Sequence, residues 1–171
     1  MLENIDYNHM YCLFCKTGSE KQVAAEIEKQ QDIRALVAIQ EKHKRIGKKY
    51  EIDRRVFLPG YLFLYTNEEL RFDTIRKISN VYRILGDRNE ICELNGYDRS
   101  FAEWLYLNDG IVGISRIRVS NGNLSVRSGP MRFFLSKIVK IDKHTKNALA
   151  RISLQNREID LWLAFDFDDI S

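Results

Sequence analysis

The chain has 171 residues, with 27 Lys and Arg against 24 Asp and Glu and a formal net charge of +3. Hydrophobic residues at 44%, with nine Phe, eight Tyr and two Trp, supply ample core and exclude a wholly disordered chain. No apolar run reaches the ~18 residues of a membrane span, and the polar start MLENIDYNHMY lacks a signal peptide's basic segment.

The length suits one medium domain or two small ones. Three cysteines, an odd number, do not make a disulfide framework, so the expected compartment is the cytoplasm. Charge is segregated along the chain. Residues 127–157 hold eight Lys and Arg against one acid, Asp142, and Lys42–Lys49 holds five bases and no acid. Residues 158–171 hold five acids and no base. Such basic segments suit a polyanion partner, and equally a solvated face.

In chain order, HMYCLFCK (9–16) predicts a strand. Thr17 with Glu20 three residues on has the spacing of a capping box, and Val23, Ala24 and Ile27 recur at helical spacing, predicting a helix over 19–31. Residues 35–40 alternate as a second strand, and KHKRIGKK is a basic turn about Gly47, an extended hairpin or a loop. VFLPGYLFLYT (56–66) is the strongest strand signal, with a bulge or kink at Pro59-Gly60. Its Tyr61, Phe63 and Tyr65 share one face and Leu62 and Leu64 the other. The aromatic face is either a partner surface or buried by two-sided packing. A helix over 68–78, a strand over 81–85 and a helix over 98–107 follow. The order β-α-β-β-α-β-α describes an α+β sandwich, one antiparallel sheet with helices packed on it.

Past Asn108-Asp109-Gly110 the apolar period changes to two, with runs at 117–119, 124–126, 138–141, 149–154 and 159–163 separated by turn signals. These predict a small five-stranded β-barrel. The expected organisation is an N-terminal domain over 1–108, a linker over 109–120 and the barrel over 121–171. In the barrel, Lys140 faces outward between Val139 and Ile141, while Lys143, His144 and Lys146 occupy the following turn. Flexible ammonium groups at a hairpin tip suit phosphate oxygens, although lysines on strand edges also block aggregation.

Catalytic signatures are missing. Cys12-x-x-Cys15 lies on a strand, where i and i+3 point to opposite faces, and Cys92 is distant. His9, His43 and His144 lack metal-ligand spacing, and the chain has no nucleophile elbow, P-loop or dinucleotide fingerprint. The reading is a non-enzyme without cofactor or metal.

The segments YCLFCKTGSEKQVAAEIE, VFLPGYLFLY and IRKISNVYRILGD, in that order, resemble the N-terminal (NGN) domain of the NusG family of transcription elongation factors. NLSVRSGPMRFFLSKIVKIDKHTKNALARISL resembles the KOW domain that follows it, so the resemblance spans 10–167. CKTG and the IDKH turn are similar to the specialised paralogue LoaP, and the N-terminal segment, more distantly, to RfaH. The resemblance implies an NGN-like sandwich followed by a KOW barrel. It also implies binding to the clamp helices of RNA polymerase, with suppression of pausing and termination. It nominates Met10, Tyr11, Leu58, Tyr61 and Phe63 for polymerase and Arg76, Lys77 and Arg83 for the non-template DNA strand. Similarity to LoaP implies that the KOW domain reads a nascent RNA hairpin. The basic residues of that segment, Arg127, Arg132, Lys137, Lys140, Lys143, His144 and Lys146, are the candidates. Met10 stands where the family usually has Trp, Ser136 where the KOW signature expects Gly, and MRFFLSK replaces a smaller, more polar stretch.

The expected protein is an operon-specific processive antiterminator, a monomer with no membrane partner. Two alternatives stay open: an elongation factor whose KOW domain recruits a protein, and a translation-associated KOW protein that binds RNA.

Overall fold

HMYCLFC forms β1 (His9–Cys15), and YLFLYT pairs with it at the centre of its sheet. The computed structural model describes residues 5–30, 32–68, 70–85 and 93–168. They divide into two compact units, 1–39 with 58–110, and 40–57 with 111–171.

In the N-terminal unit, α1 (Glu20–Gln30) follows β1, and β2 (Arg34–Leu36) follows α1. After the excursion described below come β5 (Tyr61–Thr66), α2 (Phe72–Arg76), β6 (Val81–Ile84) and α3 (Gly96–Leu107), with β3 (Ile39–Ile46) and β4 (Lys49–Val56) lying between β2 and β5. The antiparallel sheet has the order β2-β5-β1-β6. One face carries Leu13, Cys15, Leu62, Leu64 and Ile84, packed with Val23, Ala24 and Ile27 of α1 and with Ile75 and Ile78. Burying such side chains stabilises by about 1.5–3 kcal/mol each, so the apolar face of α1 is the term that seats it. The other face meets α3, where Phe63 lies 5.4 Å from Phe101 between ring centroids and the Tyr65 hydroxyl donates to the Ala102 carbonyl at 2.6 Å. Helices cover both faces.

The helix expected over 68–78 is shorter, five residues of α2. The Thr66 hydroxyl accepts the Glu68 N–H at 3.1 Å and holds a turn ahead of it. Arg71 is the N-cap of α2 without a side-chain capping bond, and Asn80 in the left-handed region (φ 71) ends the segment. Cys92 lies outside the described residues.

In the C-terminal unit, β7 (Ile111–Val112), β8 (Ser115–Ser120), β9 (Asn123–Ser128), the short helix α4 (Met131–Phe134), a 3-10 turn (Leu135–Lys137), β10 (Ile138–Asp142), β11 (Asn147–Leu154) and β12 (Arg157–Phe167) follow in order. Five strands form a curled sheet, a half-barrel, in the order β10-β11-β12-β8-β9, parallel only between β12 and β8. Ala148, Ala150, Ile152, Leu154, Leu161, Leu163 and Phe165 point inward and are buried, as period-2 alternation predicts, with Met131 and Phe134 of α4. The expected linker 109–120 thus holds β7 and β8, because Ile117 is a buried core residue that pairs β8 to both Phe167 and Val126.

The basic turn about Gly47 is an extended hairpin, β3–β4. It was expected within 1–108, yet it groups with the C-terminal strands. The Gln40 side chain donates to the Trp162 carbonyl, His43 meets Asp166, and the Phe57 ring lies 6.5 Å from Phe134.

Candidate functional site

The Pro59-Gly60 bend is built from both ends of the strand pair. Gly60 has φ +85, and a Cβ there would sit 2.6 Å from Phe14 Cε2 and 3.1 Å from the Cys15 carbonyl oxygen. Only glycine fits that approach. Its carbonyl accepts the Cys15 N–H at 2.8 Å. Its N–H is taken by the Glu20 carboxylate at 2.8 Å, and the other Glu20 oxygen accepts the Gly18 N–H at 2.9 Å. Glu20 is 2% exposed. The expected Thr17–Glu20 capping box is therefore corrected: α1 begins at Glu20, and its carboxylate turns to two glycine amides, one of them 40 residues away.

Of the residues nominated for polymerase, Met10, Leu58, Tyr61 and Phe63 are buried and Tyr11 is half-buried, edge-on to Phe72 at 5.5 Å. The aromatic face expected to be open is covered by α3, because Phe63 and Tyr65 pack beneath Phe101 and Ala102. What reaches solvent is Phe14 and Tyr82, which with the buried Tyr61 make an aromatic row across three strands. Phe14 on β1 is half-buried and stands 5.5 Å from Tyr61 and 6.0 Å from Tyr82, which is 62% exposed. Sequence reasoning missed Phe14 and Tyr82; the register Phe14↔Tyr61 that joins them is a pairing between distant segments. Arg76 and Lys77 close α2 and Arg83 lies on β6; all three are exposed, with Arg76 3.6 Å from Asp73.

In the C-terminal unit the β10–β11 turn gathers Lys143, His144 and Lys146 beside Lys140, all exposed. Asp142 Oδ1 accepts the N–H groups of His144 and Thr145, both at 3.0 Å, and these bonds, with Thr145 foremost, lower its pKa. Lys146 has φ 55, and its ammonium lies 3.5 Å from Asp166. Arg127 and Arg132 stand apart, on β9 and α4, and β9 is the opposite edge of the sheet from β10. Arg127 lies 3.5 Å from Asp168, and the Arg132 guanidinium donates to the carbonyls of Val126 and Arg127. Lys137 is half-buried in the 3-10 turn. Ser136 occupies the middle of that turn, exposed.

Trp162 is the residue missed on this unit. It is 40% exposed, and Leu149 pairs with both Lys140 and Trp162, so the three form a row on the outer face. The alternation of buried Leu161 and Leu163 about it was a readable signal. An indole on the same face as an ammonium, one strand apart, offers a base-stacking surface in reach of a phosphate contact.

Cys12 and Cys15 are free and buried, on opposite faces of β1. Burial pushes the Cys15 thiol up to about 11 and the Cys12 thiol higher still. Among the described residues no group of three His, Cys, Asp or Glu side chains has the geometry to hold a metal ion. No helix among them is long and apolar enough to cross a membrane.

A helix-covered antiparallel sandwich and a curled five-stranded sheet make a protein of the NGN-plus-KOW architecture. Residues 8–100 match the family described as transcription termination factor nusG, and the chain belongs to the NusG family of transcription factors. The family is non-enzymatic, and membership implies RNA polymerase binding. Among solved structures, one titled "Domain interaction in Thermotoga maritima NusG" shares the fold, with a TM-score of 0.58 and 18% identity over 91% of this chain and 93% of that one. No curated protein sequence matches the chain.

Proposed function

We propose that the chain is an operon-specific processive transcription antiterminator of the LoaP type, acting in the cytoplasm as a monomer. The N-terminal domain (1–108, with the β3–β4 hairpin set aside) binds the clamp helices of RNA polymerase. Half-buried Phe14 and exposed Tyr82, packed with the buried Tyr61, are the surface that suits this, while the nominated Met10, Leu58 and Phe63 are buried and Tyr11 lies on the opposite face of the sheet. Arg76, Lys77 and Arg83 face the non-template DNA. The KOW-like sheet captures a hairpin in the nascent leader RNA.

The observation that carries the RNA reading is the β10–β11 turn, whose backbone is held by Asp142 and which exposes Lys143, His144 and Lys146 next to the exposed Lys140 of β10. Phosphate contacts from the lysines and stacking on the indole suit a hairpin loop. Exposed Leu135, Val139 and Trp162 favour a second reading, in which this unit recruits a protein.

Single-round transcription with cognate polymerase through a Rho-independent terminator separates the readings. Readthrough only on templates carrying the leader hairpin is the expected result. Readthrough on every template supports a general elongation factor with a protein-recruiting KOW domain, and no effect on any template supports a translation-associated role.

A further inference from the structure

We infer that the β3–β4 hairpin is the second half of the RNA-binding surface of the C-terminal unit, with an RNA phosphate seated in the cleft between hairpin and β10–β11 turn. This rests on the RNA-binding reading above. The hairpin belongs to the same compact unit as β8–β12 despite its position in the chain. A cleft of about 270 Å³ opens between them, lined by Lys42, His43 and Tyr50 of the hairpin and His144, Lys146 and Asp166 of the sheet. Asp166 is the carboxylate in that lining, and it is occupied from both sides: His43 Nε2 at 2.6 Å and Lys146 Nζ at 3.5 Å. The pair of contacts ties the hairpin to the turn and offsets the one anionic group facing a phosphate.

Charge along the hairpin is unevenly compensated. Near its base Arg54 lies 3.8 Å from Glu41, and on β4 Arg55 lies 2.6 Å from Asp53. Around the Gly47 turn Lys44, Arg45, Lys48 and Lys49 are exposed, and among the described residues no carboxylate pairs with them. The excess positive charge therefore sits at the tip and in the cleft, continuous with the lysines of the β10–β11 turn, as a track for a polyanionic backbone. Tyr50, 68% exposed and 6.2 Å from the His43 ring, gives that track an aromatic platform for a base.

The test uses the full chain and a fluorescein-labelled RNA stem-loop, with a DNA duplex of matching sequence as control, by fluorescence anisotropy across a salt series. The variants are Lys44→Gln/Arg45→Gln/Lys48→Gln/Lys49→Gln on the hairpin and Lys140→Gln/Lys143→Gln on the sheet. The hairpin variant should bind RNA at least tenfold more weakly. Its slope of log affinity on log salt should fall by about 3, as expected for up to four lost phosphate contacts. Tyr50→Ala should weaken binding several-fold with the slope unchanged, which loss of charge or of fold would not produce. Circular dichroism melts identify any variant that has unfolded, and Lys48→Glu/Lys49→Glu at the exposed tip then stands in for the quadruple change. A hairpin variant that matches the parent while the sheet variant weakens overturns the hairpin site and leaves the RNA reading intact. A parent chain that does not bind the RNA overturns both, and a hairpin effect seen on DNA alone overturns the assignment to RNA.

Discussion

The buried Glu20 carboxylate accepts the Gly60 N–H at 2.8 Å, joining the first turn of α1 to the Pro59-Gly60 bend that starts β5. With Gly18 on its second oxygen, one side chain satisfies two backbone donors and sets where Tyr61 enters the sheet.

Replacing Glu20 with Ala should therefore lower unfolding stability by about 1–3 kcal/mol, the cost of leaving the buried Gly60 N–H unpaired. Glu20→Gln, which keeps one acceptor oxygen, should recover part of the loss. Urea denaturation reads both, and an unchanged midpoint for Glu20→Ala would show that the bend holds itself.

Exposed Tyr82 and buried Phe63 should separate in mutagenesis. Tyr82→Ala should leave the melting temperature within error, since the ring is 62% exposed, and should abolish capture of RNA polymerase. Phe63→Ala should cost ~3–5 kcal/mol, as truncation of a buried aromatic does, because Phe63 is fully buried against Phe101. Tyr82→Ala with full polymerase binding would remove the row from consideration.

Asp142 lies within a basic turn, so two effects of its carboxylate oppose each other. If it organises the backbone, Asp142→Ala should bind RNA more weakly than Asp142→Asn, which retains an acceptor for the His144 and Thr145 amides. If charge alone mattered, the two variants would bind equally and more tightly than the parent. The lowered carboxyl pKa sets the pH dependence. Its contribution to the turn is present above the ordinary aspartate value, about 3.9, and is lost only as pH falls through the lower folded value. The His144 and Thr145 amide resonances should therefore hold their positions to below that pH in an acid titration.

Cys12 and Cys15 should resist alkylation in the folded chain at pH 8. Both are buried, and the Cys15 thiol titrates only at about 11. Peptide mass spectrometry after iodoacetamide should find them modified only when denaturant is added. Rapid labelling under native conditions would mean that β1 opens far more readily than its packing indicates.

Much of this protein was readable because side-chain periodicity is local. The alternation at 152–154 and 159–163 reappears as the buried and exposed faces of β11 and β12, although Leu149, read with the same run, falls on the outer face. Val23, Ala24 and Ile27 likewise announced the buried side of α1. Alternation identifies two faces without saying what lies on either. Tyr61, Phe63 and Tyr65 were read correctly as one face, but only α3, some 38 residues beyond Phe63 at Phe101, determines that it is closed. The same limit hid the partner of Glu20 and the C-terminal allegiance of the β3–β4 hairpin, whose His43 meets Asp166 across 123 residues. The sequence by itself determined most of the strands, the helices α1 and α3 and the basic turn, because each depends on residues a few positions apart. The tertiary structure alone decided which surfaces stay open and which basic segments share a cleft, because those depend on packing between segments that the chain keeps far apart.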